Sequence, residues 1–91
     1  MRRAAHRAIA PSVSDVSASF ETIASGIETG ASTSAVVAAL RAAGARCERE
    51  GLANVRQAVE AWERVWPRLG AQPEFRTAVV REARLWAKKL A

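Results

Sequence analysis

The 91-residue chain has no tyrosine, two phenylalanines, one cysteine and one histidine, and each scarcity removes a class of function. A single thiol, Cys47, makes an internal disulfide framework impossible and fits a reducing compartment. With one cysteine and one histidine (His6), a zinc site needs carboxylates to complete it, so neither a metal nor a cofactor is expected. The phosphate-cradling patterns GxxxxGK[ST] and GxGxxG do not occur. No apolar run approaches the roughly 20 residues of a membrane span. Together these absences point to an intracellular and most simply cytoplasmic protein.

Catalysis finds no support. A Cys–His pair must be held within hydrogen-bond reach, yet Cys47 falls on an apolar stripe and His6 in a loose N-terminal arm. The glutamates are spread along solvent-facing positions, with no two placed as an acid/base couple. We expect a protein without enzyme activity.

What is present is alanine, arginine and helical spacing. A chain this short buries roughly 60–65% of its unfolded surface, enough for one domain and one modest core. Much of its apolar content is alanine, which favours helix more than it fills a core. Such a thin core points to reliance on a partner or on self-association. The net charge is +5, and twelve of the fourteen bases are arginine, the residue suited to bidentate contact with carboxylate or phosphate. Charge is zoned. Residues 1–12 hold Arg2, Arg3 and Arg7 and no acid; residues 13–40 hold Asp15, Glu21 and Glu28 and no base; residues 41–91 hold eleven bases against six acids. The opening resembles an Arg-rich, acid-poor mitochondrial transit peptide, set against the plainer reading of a flexible basic arm over residues 1–11.

Four stripes with helical period follow within a single domain, residues 12–91. The first, Val13, Val16, Phe20, Ile23 and Ile27, predicts a helix over 12–29, with Ser12 and Asp15 as a capping box and Gly30 as its stop. Gly26 and the many Ser and Thr residues weaken it, so it needs packing to form. The second, Val36, Val37, Leu40, Ala43 and Cys47, predicts 33–50, capped within Ser32-Thr33-Ser34 and ended at Gly51. Its small residues Ala39, Ala42, Ala43 and Gly44 either admit a close neighbour or merely reflect alanine abundance. The third, Leu52, Val55, Val59, Trp62, Trp66 and Leu69, is a heptad-like seam predicting 53–67. Asn54 and Gln57 offer a capping box, Arg56–Glu60 and Glu60–Arg64 offer i,i+4 pairs, and Pro67 predicts a kink or an end near Trp66. The fourth, Phe75, Val79, Ala83, Trp86 and Leu90, predicts 73–90, opened by Pro73 and Glu74 and closed by Lys88 and Lys89.

Short connections make successive helices antiparallel. The expected fold is all-α: an antiparallel up-down bundle of three or four helices with a basic N-terminal arm. Segments one and three, both heptad-like, suggest themselves as packing mates.

For function, the seam phase makes Trp62 and Trp66 core residues first, partner anchors second and base-stacking residues last, because Glu60 and Glu63 beside them repel phosphate. We expect a non-catalytic protein–protein interaction protein, a small basic accessory or structural subunit of a larger assembly. Its partners are other chains, in a hetero-complex or a homo-oligomer, and its contacts are Trp66, Val80, Leu85, Arg81, Arg84 and Lys88. The alternative is a DNA- or RNA-binding module using the basic arm and the last helix, with Arg2, Arg3, Arg7, Arg56 and Gln57 as contacts. A phage- or plasmid-encoded inhibitor of a host protein is equally compatible with the sequence.

Overall fold

The computed structural model describes residues 13–91, where the chain forms four helices: α1 (Val13–Glu28), α2 (Thr33–Arg49), α3 (Ala53–Leu69) and α4 (Pro73–Leu90). They make an all-α four-helix bundle. The basic arm, its targeting-like reading and the Ser12 cap lie outside the described residues.

Local chemistry accounts for most helix ends. Ser32 caps α2, its Oγ accepting from the Ala35 N–H at 3.1 Å. The first two helices close alike. Gly30 (φ 82°) and Gly51 (φ 70°) take the left-handed conformation that disfavours a Cβ. Around them the Ala31 N–H reaches the Gly26 carbonyl and the Leu52 N–H the Cys47 carbonyl, both at 2.9 Å, satisfying acceptors that each helix leaves free. Pro73 opens α4 at its first turn.

Not every local expectation is met in α3. Leu52 occupies its N-cap position and no side chain caps it, so the Asn54–Gln57 box does not form. The Leu52 N–H is already used to close α2, and the chain enters α3 at Ala53, too early for Asn54 to cap. Nor does Pro67 end the helix, which runs on to Leu69. Pro67 stands in the last turn, where its missing N–H forfeits one bond to the Glu63 carbonyl. The Gly70 N–H still bonds the Trp66 carbonyl beyond it, at 2.8 Å.

Around the bundle α1 packs most extensively on α4, α2 packs on α3, and α1 also packs on α2; α3 and α4 touch sparsely. Segments one and three are therefore not packing mates. Their backbones stay more than 8 Å apart across the bundle diagonal, and they meet through Phe20 and Trp62, edge to face at 6.3 Å. The stripe phase gave the inward side of each helix correctly but not the neighbour it faces.

The core runs from Val16, Phe20, Ile23 and Ile27 through Val36, Leu40 and Cys47 to Val55, Val59, Trp66 and Val79. Trp66 is its largest fully buried side chain, 1% exposed. Its ring lies 5.6 Å from Phe75, and the Arg76 guanidinium sits 5.7 Å above it. Arg76 then forks, donating from Nη1 to the Gly70 carbonyl and from Nη2 to the Ile27 carbonyl, each at 2.7 Å. One side chain thus ties the end of α1 to the α3–α4 turn.

Gly70 has an ordinary φ of −66°, so its lack of a side chain serves packing. A Cβ there would lie 2.6 Å from the Trp66 indole. We expect Trp66→Ala to cost about 3–5 kcal/mol in urea unfolding, and Gly70→Ala about 1–3 kcal/mol through overpacking. In a Trp66→Leu background Gly70→Ala costs less but stays destabilising, because the backbone carbonyl oxygen of residue 66, 2.7 Å from the added Cβ, remains. Equal costs in the two backgrounds would show that the indole is not the obstruction.

Candidate interaction surface

The helix α4 turns Val79, Ala83 and Ala87 into the core. On its far side Thr77, Val80, Arg81, Arg84, Leu85 and Lys88 line one shallow groove. Thr77, Arg81, Arg84 and Lys88 step by four, three and four, a spacing that stacks side chains along one side of a helix. Among the described residues Leu85, 48% exposed, is the one large hydrophobic side chain that stands open. Val80 is half-buried and packs against the edge of the core. Thr77 and Val80 also line a second hollow, with Ile27, Glu28, Pro73 and Arg76, where the ends of α1 and α4 meet. The two hollows adjoin and form one strip.

The cations on this strip differ in availability. Arg84 grips Glu28 in a bidentate pair, Nη1 to Oε2 at 2.8 Å and Nη2 to Oε1 at 2.7 Å, and its Nε lies 3.6 Å from Glu21. The hydrogen bonds from Arg84 hold the Glu28 carboxyl below its ordinary range, and Glu28 in turn raises the Arg84 guanidinium. Arg81 and Lys88 are exposed and have no acid within 4.0 Å among the described residues.

Five of the six expected partner contacts therefore share one groove. The sixth does not: Trp66 is buried and presents nothing to a partner. The alternative set is scattered. Arg2, Arg3 and Arg7 lie outside the described residues. Arg56 sits on the α2–α3 flank, 3.6 Å from Glu48 and 3.8 Å from Glu60, and Gln57 is exposed beside it. The pair with Glu60 forms as its i,i+4 spacing suggests, whereas Arg64 makes no ion pair among the described residues.

Sequence reasoning missed Arg76, although its phase held a signal. It precedes Val79 and Ala83 on the inward side, where a base must find acceptors. Buried Cys47 behaves as a core residue: removal from water, opposed by the charge of Arg56, pushes its thiol up. Among the described residues no three His, Cys, Asp or Glu side chains are placed to hold a metal ion, and no helix is long and apolar enough to cross a membrane. No protein-family model matches the chain, and no curated protein or solved structure matches it significantly.

Two outcomes follow from these environments. Because Glu28 titrates below its ordinary value of 4.5, its pair with Arg84 stabilises the fold above that value and loses its contribution as pH falls through the lower, folded-state value. Carbon-13 titration is expected to place the Glu28 carboxyl below 4.5 in the wild type and to move it up in Arg84→Gln. An unmoved value would mean that the pair is not formed in solution. Cys47 is expected to react with a soluble aromatic disulfide only as the chain opens, so its rate should rise steeply with urea; rapid labelling of the native chain contradicts its burial.

Proposed function

We propose that this protein is a non-catalytic subunit that binds another protein chain through the outward face of α4. The observation that carries the reading is a conjunction on that face. Leu85, exposed and apolar, lines the same groove as half-buried Val80 and as Arg81 and Lys88, two cations without acidic partners among the described residues. Exposed apolar surface rimmed by charge is the usual composition of a protein-binding patch.

The second reading, DNA or RNA bound by the basic arm and α4, draws on the net charge of +5 and on Arg81 and Lys88. Against it, Arg84 on the same flank is already balanced by Glu21 and Glu28, which leaves few cations there for a phosphate backbone. The apolar part of the groove, Leu85 and Val80, also gains little from a sugar–phosphate backbone.

The deciding experiment is affinity capture from nuclease-treated lysate of the native host, with wild type and Leu85→Glu side by side. We expect a discrete set of proteins held by the wild type and lost with Leu85→Glu, whose thermal unfolding stays within a few degrees because the site is exposed. Retention of the same proteins by Leu85→Glu, or loss of all capture on nuclease treatment, defeats the reading.

A further inference from the structure

We infer that the groove on α4 takes an acidic amphipathic helix, one that sets an apolar side chain against Leu85 and carboxylates against Arg81 and Lys88. The inference rests on the reading above that α4 binds protein, and it specifies the chemistry of the partner.

Spacing is the first argument. Arg81 and Lys88 are seven residues apart, about 10.5 Å along a helix. The same rise separates residues i and i+7 on a second helix laid beside α4. Carboxylates at those two positions meet both cations, and a residue three or four places after the first falls alongside Leu85. The 4-3-4 steps of Thr77, Arg81, Arg84 and Lys88 are those by which two helices keep continuous contact.

Charge is the second argument. Arg84 is already balanced by Glu28 and Glu21, which leaves Arg81 and Lys88 as the unbalanced groups lining the groove. Glu82 follows Arg81 in sequence but projects about 100° further round the helix. Complementary carboxylates contribute orientation and association rate more than raw affinity, and Leu85 supplies the apolar anchor. A second copy of this chain fits poorly, because pairing two such faces brings like charges together. Phosphates fit poorly because they bring charge but no apolar group for Leu85.

The test uses the full chain and synthetic helix-stapled peptides of about 18 residues, long enough to cover the groove. One peptide presents Leu between two Glu placed seven apart. Its analogues replace both Glu by Gln, both Glu by Lys, or the Leu by Ser. We expect the acidic peptide to bind about fivefold tighter than the Gln peptide at low salt, with the advantage shrinking at high salt. The Ser peptide should bind about tenfold more weakly than the acidic one. The protein double variant Arg81→Glu/Lys88→Glu should reverse the order, preferring the Lys peptide, which also shows that the variant is folded. Four results overturn the inference: no saturable binding of the acidic peptide, equal binding of the Gln peptide, unchanged preference in the double variant, or self-association of the chain that Leu85→Glu abolishes. If these occur while Leu85-dependent capture from lysate persists, the acidic-helix assignment fails and the protein-binding reading survives. If capture is also indifferent to Leu85, both fail.

Discussion

The Ser17 hydroxyl donates to the Ala87 carbonyl at 2.6 Å, on the line where α1 and α4 make the most extensive helix contact in the bundle. That contact points to the constraint beneath the whole fold, the burial of α1. Its sequence, VSDVSASFETIASGIE, carries four serines, a threonine and a glycine, and residues of those kinds favour caps and turns over helix interiors. Sixteen such residues do not hold a helix alone in water. Packing supplies what propensity withholds. Val16, Phe20, Ile23 and Ile27 fill the middle of the core, while Ser17 faces α4 and Ser19 faces α2. The hydroxyls do not oppose this burial. Ser19 donates to the Asp15 carbonyl at 3.0 Å and accepts from Arg46 at 2.8 Å, so each buried serine has partners in place of water.

Side-chain size then sets how far apart the helices stand, as interaxial distance follows the residues at the contact. Small side chains line the close pairs. Ser17 meets the side of α4 that carries Ala87, and the Gly44 backbone lies where a Cβ would touch Val59 at 3.8 Å. Aromatic rings line the loose side. Trp66 and Phe75 fill the space at the α3–α4 turn, and Trp86 shares a hollow with Leu52, Val55 and Leu90 at the far end. Because α3 is held off, α4 is fastened to the bundle chiefly through α1. Among the described residues no other helix covers the side of α4 turned away from the core.

This geometry explains which features were legible in the sequence. Stripe phase named the buried residues, since a 3.6-residue period fixes the inward side of a helix whatever its neighbours. Gly30, Gly51 and Pro73 marked ends because their backbone chemistry is local. Helix pairing was not legible: it turns on which flank of each helix carries its small residues, such as Ser17 on α1, Gly44 on α2 and Ala83 and Ala87 on α4, and alanine in an alanine-rich chain carries little contrast. Pro67 misled because its cost depends on how many bonds remain downstream, and the helix end lay two residues further on. The α4 groove was half legible. Val80 and Leu85 lay off the inward phase, but the engagement of Arg84 by Glu28, 56 residues away, required the fold.

The fold also sorts the bases of this arginine-rich chain. The segment without bases supplies α1, and the bundle sets that helix against a helix with five bases. Rotation of about 100° per residue sorts those five. Arg76 turns inward to two carbonyls and an indole; Arg84 turns to the carboxylates of α1; Lys89 lies 5.1 Å over the Trp86 ring. Arg81 and Lys88 remain, on either side of the exposed leucine. Net charge alone describes an attraction to any anion. Once three of the five cations are engaged within the fold, the pair that remains, seven residues apart along the helix with Leu85 between them in sequence, is the arrangement on which the proposed acidic partner rests.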